Sequence, residues 1–133
     1  MRRIELGDFL LIAEIHTGID ASQLARMDRV ITLGQAALAA PFAGFGDTEI
    51  FPTFAAKAAI YCSRIVSYHP LPDGNKRTGY DVMREFIDRN DGTFTHPAGP
   101  AGGYAGTAMM IEALAANTVS EVEFIGWVAA RLG

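Results

Sequence analysis

The sequence predicts an all-α fold, a single domain over residues 1–133 built as a bundle of about six helices. Apolar residues recur at helical spacing in several segments, and glycine and proline separate those segments. No segment alternates apolar and polar residues as a half-buried strand does. Half of the residues are apolar, so the chain can bury one sizeable core, in which we expect its phenylalanines and Trp127.

Two helices are predicted before the first proline of the chain, Pro41. The first covers residues 5–16 and ends at a Thr-Gly pair. The second covers residues 20–40, where Asp20 and Gln23 form the pattern of an N-terminal cap. Pro41 ends it, because proline lacks the amide hydrogen that a helix interior needs.

The middle of the chain is predicted to hold a loop and then the central helix. Residues 41–51 form a glycine-containing loop with a short extended piece at residues 49–51. Pro52 suits the first position of the third helix, which continues to Tyr68 and is rich in alanine and apolar residues. Its Cys62 is the single cysteine of the chain and is predicted to be a buried, reduced thiol.

Three more helices are predicted in the second half of the chain. The fourth covers residues 75–89, a loop rich in glycine and proline follows at residues 93–103, and the fifth helix covers residues 104–116. Ser120 and Glu123 form a capping box that begins the last helix.

Charge and hydropathy argue against several classes of protein. The net charge of −4 argues against direct nucleic-acid binding, although a local basic site stays possible. No apolar run is long enough to span a bilayer. Arg2 and Arg3 resemble the start of a signal peptide, but acidic residues interrupt the apolar segment that would follow. The sequence therefore predicts a cytoplasmic protein with no membrane segment.

The stretch HPLPDGNKRTG, from His69 to Gly79, raises a question of charge. It begins a helix with Lys76 and Arg77, although the first turn of a helix carries partial positive charge and disfavours cations. Both cations become favourable beside a phosphate, which helix-start amides also bind. Gly74 would let such a ligand approach the backbone closely.

Two more side chains of this stretch complete a phosphate site. Asp73 can hold Mg²⁺, which prefers one or two carboxylates together with phosphate oxygens. His69 is the one base in the stretch whose ordinary pKa lies near neutrality. The sequence thus predicts a polyphosphate site with a metal ion and a base.

The residues from His69 to Arg77 resemble the signature loop of the Fic/Doc family, and more closely its Doc (death-on-curing) branch. The resemblance implies an all-α Fic/Doc-like bundle with this loop between two central helices. It implies that His69 is the general base on a target hydroxyl and that Asp73 holds Mg²⁺. It also implies that Gly74, Asn75 and Arg77 bind the phosphates of ATP.

Two positions depart from the pattern of the AMP-transferring members of that family. Those members have glycine where Lys76 stands and a second arginine where Tyr80 stands. Both departures favour the family's kinase variant, in which the lysine would meet the outer phosphates and the γ-phosphate of ATP goes to a protein hydroxyl. The best-known target of that variant is a threonine of elongation factor Tu, whose modification halts translation. AMP transfer and a catalytically silent binding partner remain the alternatives.

The resemblance also implies a partner. Doc proteins are toxins of type II toxin–antitoxin pairs, held inactive by a cognate antitoxin whose disordered C-terminal segment folds onto the toxin. Many Fic proteins restrain themselves with an inhibitory helix reading Ser/Thr-x-x-x-Glu, and no serine or threonine here is followed by glutamate at the fourth position. Nothing in cis is therefore predicted to block the site. Residues 44–51 lie where family members have a flap that positions the target peptide.

Simpler structural roles exist for several of these residues. His69 could cap the last carbonyls of the third helix, and Asp73 could be the N-cap of the fourth. His16 and His96 are predicted to be surface or loop residues. Gly79 lies inside a helix, where it is expected to mark close packing against a neighbouring helix.

Overall fold

The computed structural model of the protein describes residues 1–96 and 103–133. Within them the fold is all-α, as predicted, with seven α-helices and one very small sheet. The helices are α1 (Leu6–Thr17), α2 (Ala21–Leu24), α3 (Asp28–Ala39), α4 (Phe54–Tyr68), α5 (Asn75–Arg89), α6 (Gly103–Ala115) and α7 (Glu121–Ala129). A 3₁₀ turn (Ala40–Phe42) follows α3, and strands β1 (Gly44–Phe45) and β2 (Thr48–Glu49) precede α4.

Helix α4 lies at the centre of the bundle, as predicted, and packs against α3, α5 and α7. Ten of its fifteen residues are buried, including the charged Lys57. The Lys57 ammonium donates a hydrogen bond to the Phe51 carbonyl and pairs with Glu49 at 3.0 Å. The buried charge is therefore balanced, as the low dielectric of a core requires.

The pair α4 and α5, which carries the HPLPDGNKRTG loop between its members, packs closely. A Cβ on Gly79 would lie 3.1 Å from the carbonyl oxygen of Cys62, which is tighter than an ordinary Cβ contact, so glycine suits this close approach of the two backbones. The Cys62 thiol beside it is fully buried, and burial raises its pKa to about 12. Both predictions, close packing at Gly79 and a buried reduced thiol, are confirmed.

The predicted helix over residues 20–40 is wrong, because the chain breaks into α2 and α3 with Met27 in an extended conformation. On one continuous helix, Leu24 and Val30 would lie about 120° apart around the axis. The break lets both side chains reach the core, where they are almost fully buried. Asp20 does precede α2 but its side chain makes no cap; the Ala21 amide instead donates to Glu14 at 2.8 Å.

The start of α4 also differs from the prediction. Pro52 is not the first helical residue, because Thr53 is the N-cap and its hydroxyl accepts a hydrogen bond from the Ala56 amide at 3.0 Å. The preceding segment is an antiparallel hairpin in which Gly44 faces Glu49, so the extended piece begins earlier than residues 49–51.

Not every phenylalanine is a core residue. Phe45, on the hairpin, is 80% exposed, because two-residue strands bury nothing beneath them. Trp127 is half-buried and stacks on the fully buried Phe124 with 6.0 Å between ring centres. The prediction of core aromatics therefore holds for Phe124, is half right for Trp127 and is wrong for Phe45.

The C-terminal half follows the prediction closely. Helix α5 has the predicted bounds, and the capping box of α7 is present, with the Ser120 hydroxyl accepting from the Glu123 amide at 3.1 Å. The predicted loop over residues 93–103 is described only as far as residue 96, and its remaining part lies outside the described residues. Among the described helices, none combines the length and the hydropathy needed to cross a membrane.

Candidate functional site

A cleft of about 1000 Å³ opens between the loop that joins α4 to α5 and the facing side of α6. The loop side contributes all six residues singled out by the sequence. They are His69, Asp73, Gly74, Asn75, Lys76 and Arg77. The α6 side contributes residues from Thr107 to Ala115, and His16 reaches the same cleft from α1.

His69 ends α4 in a left-handed backbone conformation, with φ 54° and its amide donating to the Ile65 carbonyl at 3.1 Å. Such a φ is uncommon for a residue with a side chain, although histidine is among those that adopt it more often. The side chain is exposed, and its ring makes no hydrogen bond to any described residue. The backbone of His69, rather than its ring, therefore caps the helix, and the imidazole is left free at the cleft.

Asn75 holds the loop in shape. Its buried side-chain amide accepts a hydrogen bond from the Leu71 amide and donates one to the Leu71 carbonyl, both at 2.9 Å. Both polar atoms of the side chain are therefore engaged within the loop. A phosphate contact from Asn75, as the resemblance implies, would come from its backbone amide in this conformation.

Helix α5 begins without a side-chain cap. Its N-cap is Gly74, with φ 74°, and not Asp73, so the structural role suggested for that carboxylate is wrong. A Cβ on Gly74 would lie in a tight contact 3.0 Å from the carbonyl oxygen of His16, and the left-handed backbone conformation itself favours glycine. Asp73 is exposed and has no ion pair or hydrogen bond within residues 1–96 and 103–133. The helix start and a free carboxylate therefore face the same cleft.

The two cations at the start of α5 have different surroundings. The Lys76 ammonium pairs with Glu112 of α6 at 2.8 Å, which bridges the two sides of the cleft. The exposed Arg77 has no partner in the part of the chain that the structure describes. Glu112 is an acidic residue of the same chain that lies against the site. The inhibitory-helix pattern Ser/Thr-x-x-x-Glu did not indicate it, because no serine or threonine stands four residues before it.

His16 is a second site residue that sequence reasoning missed. It lies in the last turn of α1, and only 16% of its side chain is exposed, so the prediction of a surface or loop position is wrong. Its Nε2 lies 2.5 Å from a carboxylate oxygen of Asp81 on α5. No motif connects residue 16 with the loop; only the packing of α1 against α5 brings it there.

Tyr80 lines the cleft, and the His96 ring lies next to its hydroxyl. Tyr80 is buried, and its hydroxyl accepts a hydrogen bond from the Arg84 guanidinium at 2.8 Å. His96 is in a loop, as predicted, but is half-buried, with its ring 3.3 Å from the Tyr80 hydroxyl and 3.0 Å from that of Thr107. The position where AMP-transferring proteins have their second arginine is therefore filled by a packed aromatic ring.

Comparison with known proteins gives one match. A model of the Fic/DOC family matches residues 7–87, more than half of the chain, from α1 through the loop and most of α5. A search of curated proteins and a search of solved structures each returned no match. The matched segment contains every loop residue that lines the cleft, and it ends inside α5, the helix that follows the loop. This chain therefore belongs to the Fic/DOC family.

Proposed function

We propose that this protein is a Doc-type toxin that transfers the γ-phosphate of ATP to a serine or threonine hydroxyl of a protein. Fic/DOC proteins are typically transferases, either of AMP or of a phosphoryl group. The observation that carries the proposal is one cleft that joins a free imidazole, a free carboxylate and an uncapped, cationic helix start. By analogy, the target is a threonine of elongation factor Tu, and its modification halts translation in the cytoplasm.

The start of α5 supplies the electrostatics for a polyphosphate. Its first turn contains Lys76 and Arg77 and no acidic residue, and its N-cap residue, Gly74, has no side chain to cap the amides. A helix N-terminus of this kind binds anions through its amides and its dipole. In the proposed reaction the amides, Lys76 and Arg77 stabilise the charge on the transferring phosphoryl group, which is the main task in phosphoryl transfer.

Asp73 suits Mg²⁺ that arrives with the nucleotide. The described residues contain no group of three or more acidic, histidine or cysteine side chains that could hold a metal ion alone. A single unpaired carboxylate is nevertheless the usual protein contribution when phosphate oxygens and water complete the coordination. Asp73 would hold Mg²⁺ there, and the ion would neutralise phosphate charge.

His69 acts as the general base in the proposed mechanism. Its imidazole accepts the hydroxyl proton of the target side chain while the hydroxyl oxygen bonds to the γ-phosphorus. The bond from that phosphorus to the bridging oxygen breaks, and ADP leaves. Asn75 keeps the loop in the conformation that presents His69 and the helix start to the same ligand.

Two positions favour γ-phosphate transfer over AMP transfer. Lys76 places a cation where AMP-transferring members have glycine, and its pairing with Glu112 shows that the side chain extends over the cleft. Tyr80 leaves no arginine at the second position of that pattern, and its hydroxyl is turned to Arg84. AMP transfer is therefore the second candidate.

The test uses the purified protein, ATP labelled at either the α- or the γ-phosphate, Mg²⁺ and a bacterial cell extract or purified elongation factor Tu. We expect γ-label on one protein, found by mass spectrometry on a serine or threonine, and its loss in His69→Ala and Asp73→Asn. Transfer of α-label would replace the proposal by AMP transfer. If neither label is transferred to a protein, the proposed transferase activity is refuted.

The toxin role has its own test in cells. We expect induced expression to stop growth, the His69→Ala variant to be harmless, and co-expression of the cognate antitoxin to restore growth. Growth arrest that persists unchanged in His69→Ala would favour a catalytically silent binding partner instead.

A further inference from the structure

A second cleft, of about 570 Å³, lies beside the first, between α4, the end of α6 and the start of α7. Val66, His69 and Ala115 line both clefts and therefore form the boundary between them. Because the His69 ring is exposed and free, it can serve a group in either cleft. The proposed phosphoryl donor occupies only the first of them.

The two clefts differ in charge. The first holds Lys76, Arg77 and the start of α5, whereas the described residues that line the second include no lysine or arginine. The described part of its lining is made of hydroxyl, amide and apolar groups together with one charged residue, Glu121. A polyphosphate would find no cation there, but a neutral hydroxyl side chain would find both hydrogen-bonding and apolar surfaces.

Glu121 is held in place and keeps its charge. It accepts two hydrogen bonds from the Arg64 guanidinium, at 2.9 and 3.1 Å, and one from the Ser63 hydroxyl at 2.5 Å. Burial raises the pKa of Glu121, but the hydrogen bonds from Arg64 and Ser63 outweigh it, so the pKa lies below its usual value. The carboxylate therefore stays ionised and fixed at the second cleft, where it offers no hydrogen-bond donor to a phosphate or an acidic side chain.

In-line transfer places the attacking oxygen and the leaving group on opposite sides of the phosphorus. The attacking hydroxyl therefore approaches the γ-phosphorus from the side opposite ADP, so it needs a path that the nucleotide does not fill. The general base must lie within hydrogen-bond reach of the attacking hydroxyl. His69, on the boundary between a cationic cleft and a neutral one, meets both requirements if the hydroxyl enters through the second cleft.

We infer that the second cleft binds the acceptor segment of the protein substrate, an extended, non-acidic stretch that presents its serine or threonine to His69. The inference rests on the proposed function. A cleft of this volume lies within the range that encloses a drug-sized group, so it fits a few residues of a loop and not a folded surface. Ser67 and Val119 line the second cleft and not the first.

The test fills the second cleft with Ser67→Phe. Ser67 is exposed on the last turn of α4 and lines only the second cleft, so the new ring should occupy the cleft without entering the core. Ser22→Phe, which adds the same ring to an exposed position on α2 outside both clefts, is the matched control. Ala108→Phe fills only the first cleft. Melting curves confirm that each variant is folded.

Two measurements separate the clefts: the Kd of Mg·ATP by calorimetry, and γ-label transferred to the protein target. For Ser67→Phe we expect Kd within about twofold of wild type and at least tenfold less protein labelling, whereas Ser22→Phe matches wild type in both. Ala108→Phe should weaken Mg·ATP binding itself. If Ser67→Phe does not fold, Ser67→Leu takes its place with the same expected split between binding and labelling.

Three results would overturn the inference. Wild-type labelling by the folded Ser67→Phe variant would show that the acceptor does not use this cleft, while the proposed function would stand. A loss of Mg·ATP affinity equal to the loss of labelling would show that the two clefts are one site. A wild-type protein that binds Mg·ATP but labels no protein would refute the proposed function and this inference with it.

Discussion

Replacing Glu112 by glutamine should tighten the binding of ATP. The Lys76 ammonium lies 2.8 Å from the Glu112 carboxylate, and it must leave that partner to contact a phosphate. The two side chains are 48% and 65% exposed, so their ion pair is a surface one, worth about 0.2–1 kcal/mol. Removing the competing charge should therefore lower the Kd of ATP by a factor of about 1.4 to 5. Glu112→Gln keeps the size of the side chain and removes only its charge.

Calorimetric titration with Mg·ATP at low and at high salt measures this effect. The gain should shrink as salt rises, because the Debye length falls from about 8 Å at 0.15 M to about 3 Å at 1 M. Asp88→Asn makes the same charge change at an exposed position of α5 outside the cleft and should leave Kd unchanged. The reasoning is refuted if Glu112→Gln binds ATP no better than wild type, or if its full gain persists in a Lys76→Met background.

Three further predictions concern the loop and its support. Asn75→Ala leaves the backbone amide and carbonyl of Leu71 without hydrogen-bond partners, so it should lower the free energy of unfolding by about 1–3 kcal/mol in urea titrations. An unchanged urea midpoint would contradict the role given to the Asn75 side chain. Gly74→Ala forces a side chain into a left-handed conformation and should cost about 1–2 kcal/mol in the same titration, together with ATP affinity; equal stability would show that the loop relaxes freely. The Arg89 guanidinium donates hydrogen bonds to Asp8 and lowers the pKa of that carboxyl in the folded protein. The interaction therefore stabilises the fold fully above the ordinary pKa of 3.8, and this stabilisation is lost as the pH falls through the lower pKa of the folded state. Asp8→Asn should therefore flatten the loss of melting temperature below pH 4, and a steeper loss would argue against it.

The parts of the fold that sequence reasoning predicted are those whose determinants are local. Helix α5 and the capping box at Ser120 follow from residues within a few positions of each element. The break between α2 and α3 does not, because residues 25–27 contain neither glycine nor proline. It is decided by the core, which Leu24 and Val30 enter from directions that one helix cannot provide. Tertiary packing here overrides helix propensity.

The candidate site also combines residues that the local sequence identifies with residues that only tertiary packing brings in. The site residues between His69 and Arg77 belong to one short motif, so the sequence could propose all of them, and in the structure they line one cleft. His16 and Glu112 come from α1 and α6, and they reach the cleft only through packing of those helices on α5. Neither lies in a pattern that distinguishes it from other histidines or glutamates of the chain. Residues that line a site from distant elements therefore need the structure.

The start of α5 is best explained by comparison with the start of α7 in the same molecule. Helix α7 begins with a Ser120–Glu123 capping box and acidic residues in its first turn, the arrangement that favours helix stability. Helix α5 begins with Gly74, no side-chain cap and two cations, each of which disfavours the helix by about 0.3–1 kcal/mol.

The fold tolerates this weak start because packing supports the rest of α5. The helix buries eight residues and approaches α4 closely at Gly79, so its stability does not depend on its first turn. Nothing in the packing requires Lys76 or Arg77, since both side chains are exposed. In the described structure, Glu112 supplies an anion to Lys76 and none reaches Arg77. A bound polyphosphate would satisfy both cations and the helix amides together, which is why the charge pattern of this helix indicates a ligand rather than a structural need.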